Sequence, residues 1–396
     1  MASTRQGAAT MVEFRAARLA VLAIFFLNGF GFASWVVRIP AIQEKLALSE
    51  GLLGLALLGL ASGSLVSMPL AGWLVSRLGS RPVVGVTALL VSLVLVPLAL
   101  APNLPLLFAA LAMAGIAVGA LDVSMNAQAV AVEKGYAYPI MSSFHAAFSF
   151  GGLAGAASGG IVASLGLGLL SHFSAVAVLS AVAALAAYGS LLPASADAGS
   201  HGAPAFARPT RALLGLGIIS FCVLLGEGAM ADWSAVYLEG TLETGPGLAA
   251  AGYAAFSLAM AFGRLFGDGF TQRLGPARLV RLGGALAAVG LGVALAVGEP
   301  YIALAGFACA GAGFSIIFPA ALSAAGRTKG MAAGPALAAV STAGYFGFLV
   351  GPPTIGLIAE ALGLGAALYV VVLLSAAIVV LARTVGGADV KESPET

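Results

Sequence analysis

The sequence is short of charge: of its 396 residues only 9% are Asp, Glu, Lys or Arg, the formal net charge is +2, and histidine occurs three times. So little charge cannot clothe a water-soluble domain of this size. The near-neutral balance, with basic residues scattered singly between apolar runs, also excludes a nucleic-acid surface. Cysteine occurs twice, at Cys222 and Cys309, each inside an apolar run, which reads as two small interior side chains and not as a disulfide or metal pair. Neither a Gly-x-x-x-x-Gly-Lys-Ser/Thr loop nor a His-Glu-x-x-His helix is present, so nucleotide-driven and zinc-dependent chemistry lack their residues, and no cofactor is expected.

What fills the chain is apolar: 60% of the residues are hydrophobic and 54 are glycine. A bilayer core of about 30 Å needs about 20 apolar residues per helix. The runs that meet this requirement are 18–38, 50–76, 82–101, 104–131, 139–164, 169–192, 212–239, 247–271, 277–297, 300–325, 331–358 and 364–384. The first follows Arg5, Arg15 and Arg18 in the manner of a secretory signal, but it outruns a usual signal core and leads straight into further spans, so it reads as a retained helix. With the N-terminus in the cytoplasm, fifteen of the eighteen Lys and Arg residues fall in inside loops and tails; Arg38 and Lys45 fall outside, and Arg264 lies within a span. That bias requires an even number of spans. The expectation is therefore an all-α, multi-pass protein of the cytoplasmic or inner membrane, with twelve helices and both termini cytoplasmic.

The polar connector Pro193 to Arg211, rich in Pro, Ala, Gly and Ser, divides the chain into 1–192, a linker at 193–211, and 212–396. The two halves echo each other at an offset near 197: SLGLG (164–168) by ALGLG (361–365), Phe148 by Tyr345, Gly159 by Gly356, RLGS (77–80) by RLGP (273–276), and NGFGFASW (28–35) by EGAMADW (227–233) with one deletion. Parallel six-helix repeats of this kind are a transporter architecture.

With these features the chain resembles the major facilitator superfamily. That superfamily's signature after the second span, Gly-x-x-x-Asp-Arg-x-Gly-Arg-Arg, is matched by GWLVSRLGSR, with Gly72, Arg77, Gly79 and Arg81 kept and Ser76 in place of the acidic residue. GALDVSMN, SFH and SIIFP resemble the sugar-transporting fucose-permease branch, which carries a carboxylate in the Asp122 context and an asparagine where this chain has His145. The resemblance implies two pseudo-symmetric six-helix bundles around a central cavity and a cytoplasmic gate at Arg77, Arg81, Arg264 and Asp268; the last two have the i, i+4 spacing of an intrahelical ion pair.

Inside the spans the polar residues stand out, because an aspartate near the bilayer centre costs about 2.5–3.5 kcal/mol unless it has water, a partner or a proton. Asp122 and Asn126 share a helix face, and His145 falls within about 5 Å of the depth of Asp122, so the two could meet. The pair either carries and relays a proton or merely pins two helices together. Glu227, flanked by Gly226 and Gly228, is expected on a weakened, unwound stretch beside the site, and Asn28, its repeat counterpart, is expected to face the same cavity. Asp232 is a candidate for gating or for the site itself. Trp35 and Trp233 are gate aromatics or interfacial belt residues, and Asn126, Tyr253, Phe314 and Tyr345 are candidate cavity liners. Arg38 reads as a snorkelling anchor, and His172 and His201 as loop residues.

These readings converge on a secondary active transporter of a small polar solute and not on an enzyme: Ser142 or Ser143 beside His145 on one helix is not aimed at the imidazole as a dyad requires. Protons are the expected coupling ion, with Asp122, His145 and Glu227 as carriers, a sugar-like solute and a monomer in the bilayer. Proton-coupled efflux of an amphiphilic cation is the alternative, and a non-transporting receptor the distant one.

Overall fold

The computed structural model describes residues 2–136, 140–196, 211–328 and 333–386. Among the described residues, twelve helices are long and apolar enough to cross a membrane. In chain order, spans one to six are Glu13–Leu46, Glu50–Leu78, Ser80–Leu100, Leu104–Glu133, Ser143–Ser164 and Leu169–Tyr188; spans seven to twelve are Leu213–Thr241, Pro246–Gly267, Pro276–Val297, Pro300–Gly326, Ala339–Leu362 and Leu364–Gly386. An even count leaves both chain ends on one face, here the terminal face; the opposite one is the distal face. The connector between the halves is described only to Ala196, where it makes one short helical turn at Ala194–Ala196; 197–210 lie outside the described residues.

Helix starts are set by punctuation in the sequence. Asn103 and Glu299 cap their helices by accepting from Leu106 N at 3.1 Å and Ile302 N at 3.0 Å, each just ahead of a proline in the first turn. Two of the breaks within spans fall just ahead of a proline: span three at Val94, three residues before Pro97, and span ten at Ser315–Ile316, ahead of Pro319. In each case the proline lacks the N–H that the preceding turn needs. Span one is longer than its sequence expectation, because a second helical piece, Ile39–Leu46, continues it at the distal face.

The repeat survives as geometry. Gly79 and Gly275, from RLGS and RLGP, both turn the chain with positive φ, 77° and 76°; Gly166 and Gly363, from SLGLG and ALGLG, do so at 72° and 83°. A side chain would be strained at all four. Packing repeats as well: a Cβ on Gly115 would overlap the Leu60 carbonyl in spans four and two, and one on Gly311 would overlap the Phe256 carbonyl in the matching spans ten and eight. Helices in lipid gain association energy from such close backbone approach.

The halves meet along two seams, span two against span eleven and span five against span eight. Glycines close both toward the distal face. A Cβ at Gly54 would stand 2.6 Å from the Pro352 carbonyl, one at Gly356 would stand 2.7 Å from the Glu50 carbonyl, and one at Gly160 would stand 2.7 Å from Ala250 Cβ. Glu360 adds a polar clasp, accepting from Gly51 N at 2.9 Å and so capping span two of the opposite half. Substituting Gly54→Val is therefore expected to hold the distal seam ajar, so that a cysteine placed at the fully packed Ala250 becomes reactive to a membrane-impermeant thiol reagent; unchanged protection of that cysteine would show that the seam does not depend on this approach.

Candidate functional site

Asp122 lies midway along span four, half-buried, and its carboxylate is engaged from two directions. Asn126, one turn on, donates through Nδ2 to the Asp122 main-chain oxygen at 2.8 Å and to Oδ1 at 3.3 Å. Tyr345, in span eleven of the other half, donates its hydroxyl to Oδ2 at 3.2 Å. Asp122 thus joins the two halves, and among the described residues it has no ion pair.

Across the same level sits the second polar node. Glu227 in span seven faces Arg264 in span eight with Oε2 3.6 Å from Nη2, and the side chains keep 16% and 20% exposure. Arg264 Nη1 also donates to Ser149 Oγ of span five at 3.0 Å, a further bond between the halves. Ser149 stands one turn beyond His145 and was not singled out from the sequence; its i, i+4 spacing from His145 was the available signal. Arg264 pairs with Glu227; the side chain of Asp268, the partner expected from the sequence, lies outside the described residues.

His145 does not bond to Asp122. Its ring stands edge-on to Phe25 at 5.4 Å and within electrostatic reach of Arg264, while the carboxylate of Asp122 is taken by Tyr345 and Asn126. Glu227 is not on an unwound stretch: the helix runs unbroken from Arg211 to Val236. The flanking glycines serve packing instead, giving room to Phe314 at Gly226 and to Phe348 at Gly228. That places Phe314, 1% exposed, inside the C-terminal bundle and not on the cavity wall. Asn28 likewise turns into its own bundle, donating to Met125 Sδ at 3.8 Å with 3% exposure.

Trp35 and Trp233 are buried, at 3% and 0% exposure, so neither is a belt residue; Trp35 packs on Phe173 at 6.4 Å. Tyr253 lies at the seam, 6.4 Å from Phe32 of the opposite half. Asp232 is half-buried near Tyr253, with no hydrogen bond or ion pair among the described residues. Arg77 stacks over Trp73 at 4.8 Å and Arg81 over Tyr188 at 5.0 Å, both within the N-terminal half, so neither spans the halves here; Ser76 bonds back to the Trp73 carbonyl at 2.8 Å. Arg38 is 5% exposed and donates to the Leu167 carbonyl at 2.8 Å, which fixes the distal ends of spans one and five together and rules out a snorkelling anchor. His172 is a buried helical residue of span six, not a loop residue, and His201 lies outside the described residues.

Along the face of span four that carries Asp122 and Asn126, exposure rises to 46% at Val130, and Thr342, one turn from Tyr345, is exposed too. Both lie toward the terminal face. The halves are thus packed through glycine at the distal face, while these two side chains stay exposed toward the terminal one.

A family model described as Major Facilitator Superfamily matches residues 21–333 and 216–396. The chain belongs to the major facilitator superfamily. It is 38% identical over 364 residues to an uncharacterised MFS-type transporter of Yersinia pestis, covering 91% of this chain and 94% of the other, and 35% identical over 351 residues to the membrane protein MosC of Rhizobium meliloti, covering 88% and 85%. Among solved structures, the nucleoside transporter NupG superposes with a TM-score of 0.73 at 15% identity over 94% of this chain and all of that one. FucP, in its outward conformation, gives 0.64 at 16% over 92% and 97%. This MFS chain is a multi-pass membrane protein and a secondary transporter of small solutes.

Removing one partner of a charge pair this deep leaves the other uncompensated. Arg264→Ala in this MFS protein is expected to cost about 3 kcal/mol of stability, read as a lower melting temperature in detergent, and the double variant Arg264→Met/Glu227→Gln is expected to recover most of it. A double variant no more stable than the single one would show that the pair is not what strands Glu227.

Proposed function

We propose that the protein is a proton-coupled transporter of a small, neutral, polyhydroxylated solute of the sugar class, working by alternating access as a monomer in the cytoplasmic or inner membrane with its terminal face in the cytoplasm. The observation that carries this reading is the cross-half bond from Tyr345 to Asp122. A carboxylate that lacks a cation and is held by a neutral hydroxyl gains or loses a proton without stranding a partner charge. Glu227, by contrast, is already matched by Arg264 and serves as the fixed-charge node.

The liganding groups suit a neutral polyol. Asn126, Tyr345, Tyr253, Ser149 and His145 offer groups able to donate and accept, and the arginine at this level, Arg264, is already paired with Glu227. When the halves rock about the seams, Asp122 and Tyr345 separate, the carboxyl meets water from the other side, and solute and proton leave together. Three carboxylates, Asp122, Glu227 and Asp232, against one arginine support a second reading, export of a cationic amphiphile in exchange for protons.

Proteoliposome flux under an imposed pH gradient separates these readings. With a panel of sugars, nucleobases and cationic drugs, accumulation of one sugar-class solute is expected in the parent protein. In Asp122→Asn it is expected to fall to the level of protein-free vesicles, while exchange of labelled for unlabelled solute continues. Unchanged accumulation in the variant would remove Asp122 as carrier, and gradient-driven extrusion of a cationic drug would favour the second reading.

A further inference from the structure

The interior of the N-terminal bundle holds a polar void apart from the central cleft. Asn28 of span one, Ser92 of span three and Ser180 of span six line it, together with apolar side chains such as Ile24, Leu95 and Leu121, and it leaves about 10 Å³ for the centre of a water molecule. Two of its polar atoms have no partner in the protein. Asn28 Oδ1 and Ser180 Oγ are each buried with no hydrogen bond, in residues that are both 3% exposed. An orphaned polar atom in such surroundings costs about 1–3 kcal/mol, so a native bundle does not carry two in one void without a ligand to satisfy them.

We infer that this void is a binding site for one resident water that links spans one, three and six. The donor and acceptor count closes. Ser180 Oγ has a free proton to give, and Asn28 Oδ1 has lone pairs to offer because its amide nitrogen already donates to Met125. Ser92 Oγ, which donates to the Ala88 carbonyl at 2.8 Å, retains acceptor capacity. A water accepting from Ser180 and donating to Asn28 and Ser92 makes three bonds, the usual number for a buried water, in a space at the lower limit of about 10–15 Å³ that one requires. A metal cation is a poor occupant, since three neutral oxygens with no carboxylate fall short of its coordination number.

The site gives the two halves different roles. Position 28 is the repeat counterpart of Glu227, yet in the C-terminal half the buried polar group is answered by an arginine that also grips the other half. In the N-terminal half the same position is answered by a neutral, self-contained node. The N-terminal bundle is thereby held as one rigid body, and the charge-dependent switching is left to the seam.

A map at about 2 Å, or better, together with a double-mutant cycle tests this. A spherical density peak is expected within hydrogen-bonding distance of Asn28 Oδ1 and Ser180 Oγ. Ser180→Ala is expected to lower the melting temperature by about 1–2 °C in the parent protein and by nothing measurable in an Asn28→Ala background, because the two side chains make no direct bond and couple only through the water. An empty void in the map, or equal losses from Ser180→Ala in both backgrounds, overturns the inference. Ser180→Ala removes a single atom, so loss of folding does not cloud the result.

Discussion

A carboxyl group at mid-membrane is tolerated only where protein or water answers it, and in this chain Asp122 is answered by a tyrosine from the other half. That bond joins a carboxyl group of one six-helix body to a hydroxyl of the other, and in the proposed mechanism it ties protonation to their relative position. The rest of the architecture makes such a coupling consequential. The glycine seams between spans two and eleven and spans five and eight bring the bodies into backbone contact at the distal face, and the Glu360 cap on span two adds a clasp that costs little to undo because it lies in the open. Bodies joined by small residues and a few polar bonds can rock without unpacking a core.

The duplicated halves have diverged where it matters. Turn glycines and interhelical glycines recur at matched positions, so the two bundles are built alike. At their centres they differ. Position 345 carries a hydroxyl that reaches Asp122, while its counterpart Phe148 offers none. Glu227 and Arg264 form a charged node whose second arm reaches Ser149 across the seam, whereas Asn28 is confined to its own bundle. One half thus supplies the carboxylate without an ion pair among the described residues, and the other supplies the hydroxyl bonded to it and the Glu227–Arg264 pair.

Much of this was legible in the sequence. Twelve runs, their repeat and the turn glycines could be read because a bilayer imposes length and composition, and a left-handed turn imposes glycine. Asp122, Asn126, Glu227, Arg264 and Tyr345 could be read as candidates because polar residues inside apolar runs are rare. Their pairing could not. That Arg264 reaches Glu227 on the neighbouring helix depends on helix rotation, which no local pattern encodes. The glycines beside Glu227 looked like helix breakers, but they are sockets for Phe314 and Phe348, a fact of tertiary packing. Asn28 was misplaced for a related reason: sequence equivalence to Glu227 carried its position but not its partners. For Ser149 the i, i+4 spacing from His145 is the one sequence signal, and it is weak until Arg264 of the other half is seen to reach the hydroxyl.

The central claim is that the charge on Asp122 governs how the halves sit. Leu165 and Leu362 lie exposed at the distal ends of spans five and eleven, one in each half, at 71% and 72% exposure. Pulsed electron spin resonance between nitroxides at these two positions, in a background without Cys222 and Cys309 and across a range of pH, reads their separation directly. The account predicts two distance populations whose ratio changes with pH in the parent protein and stays fixed in Asp122→Asn. An unaltered pH response in that variant would contradict it.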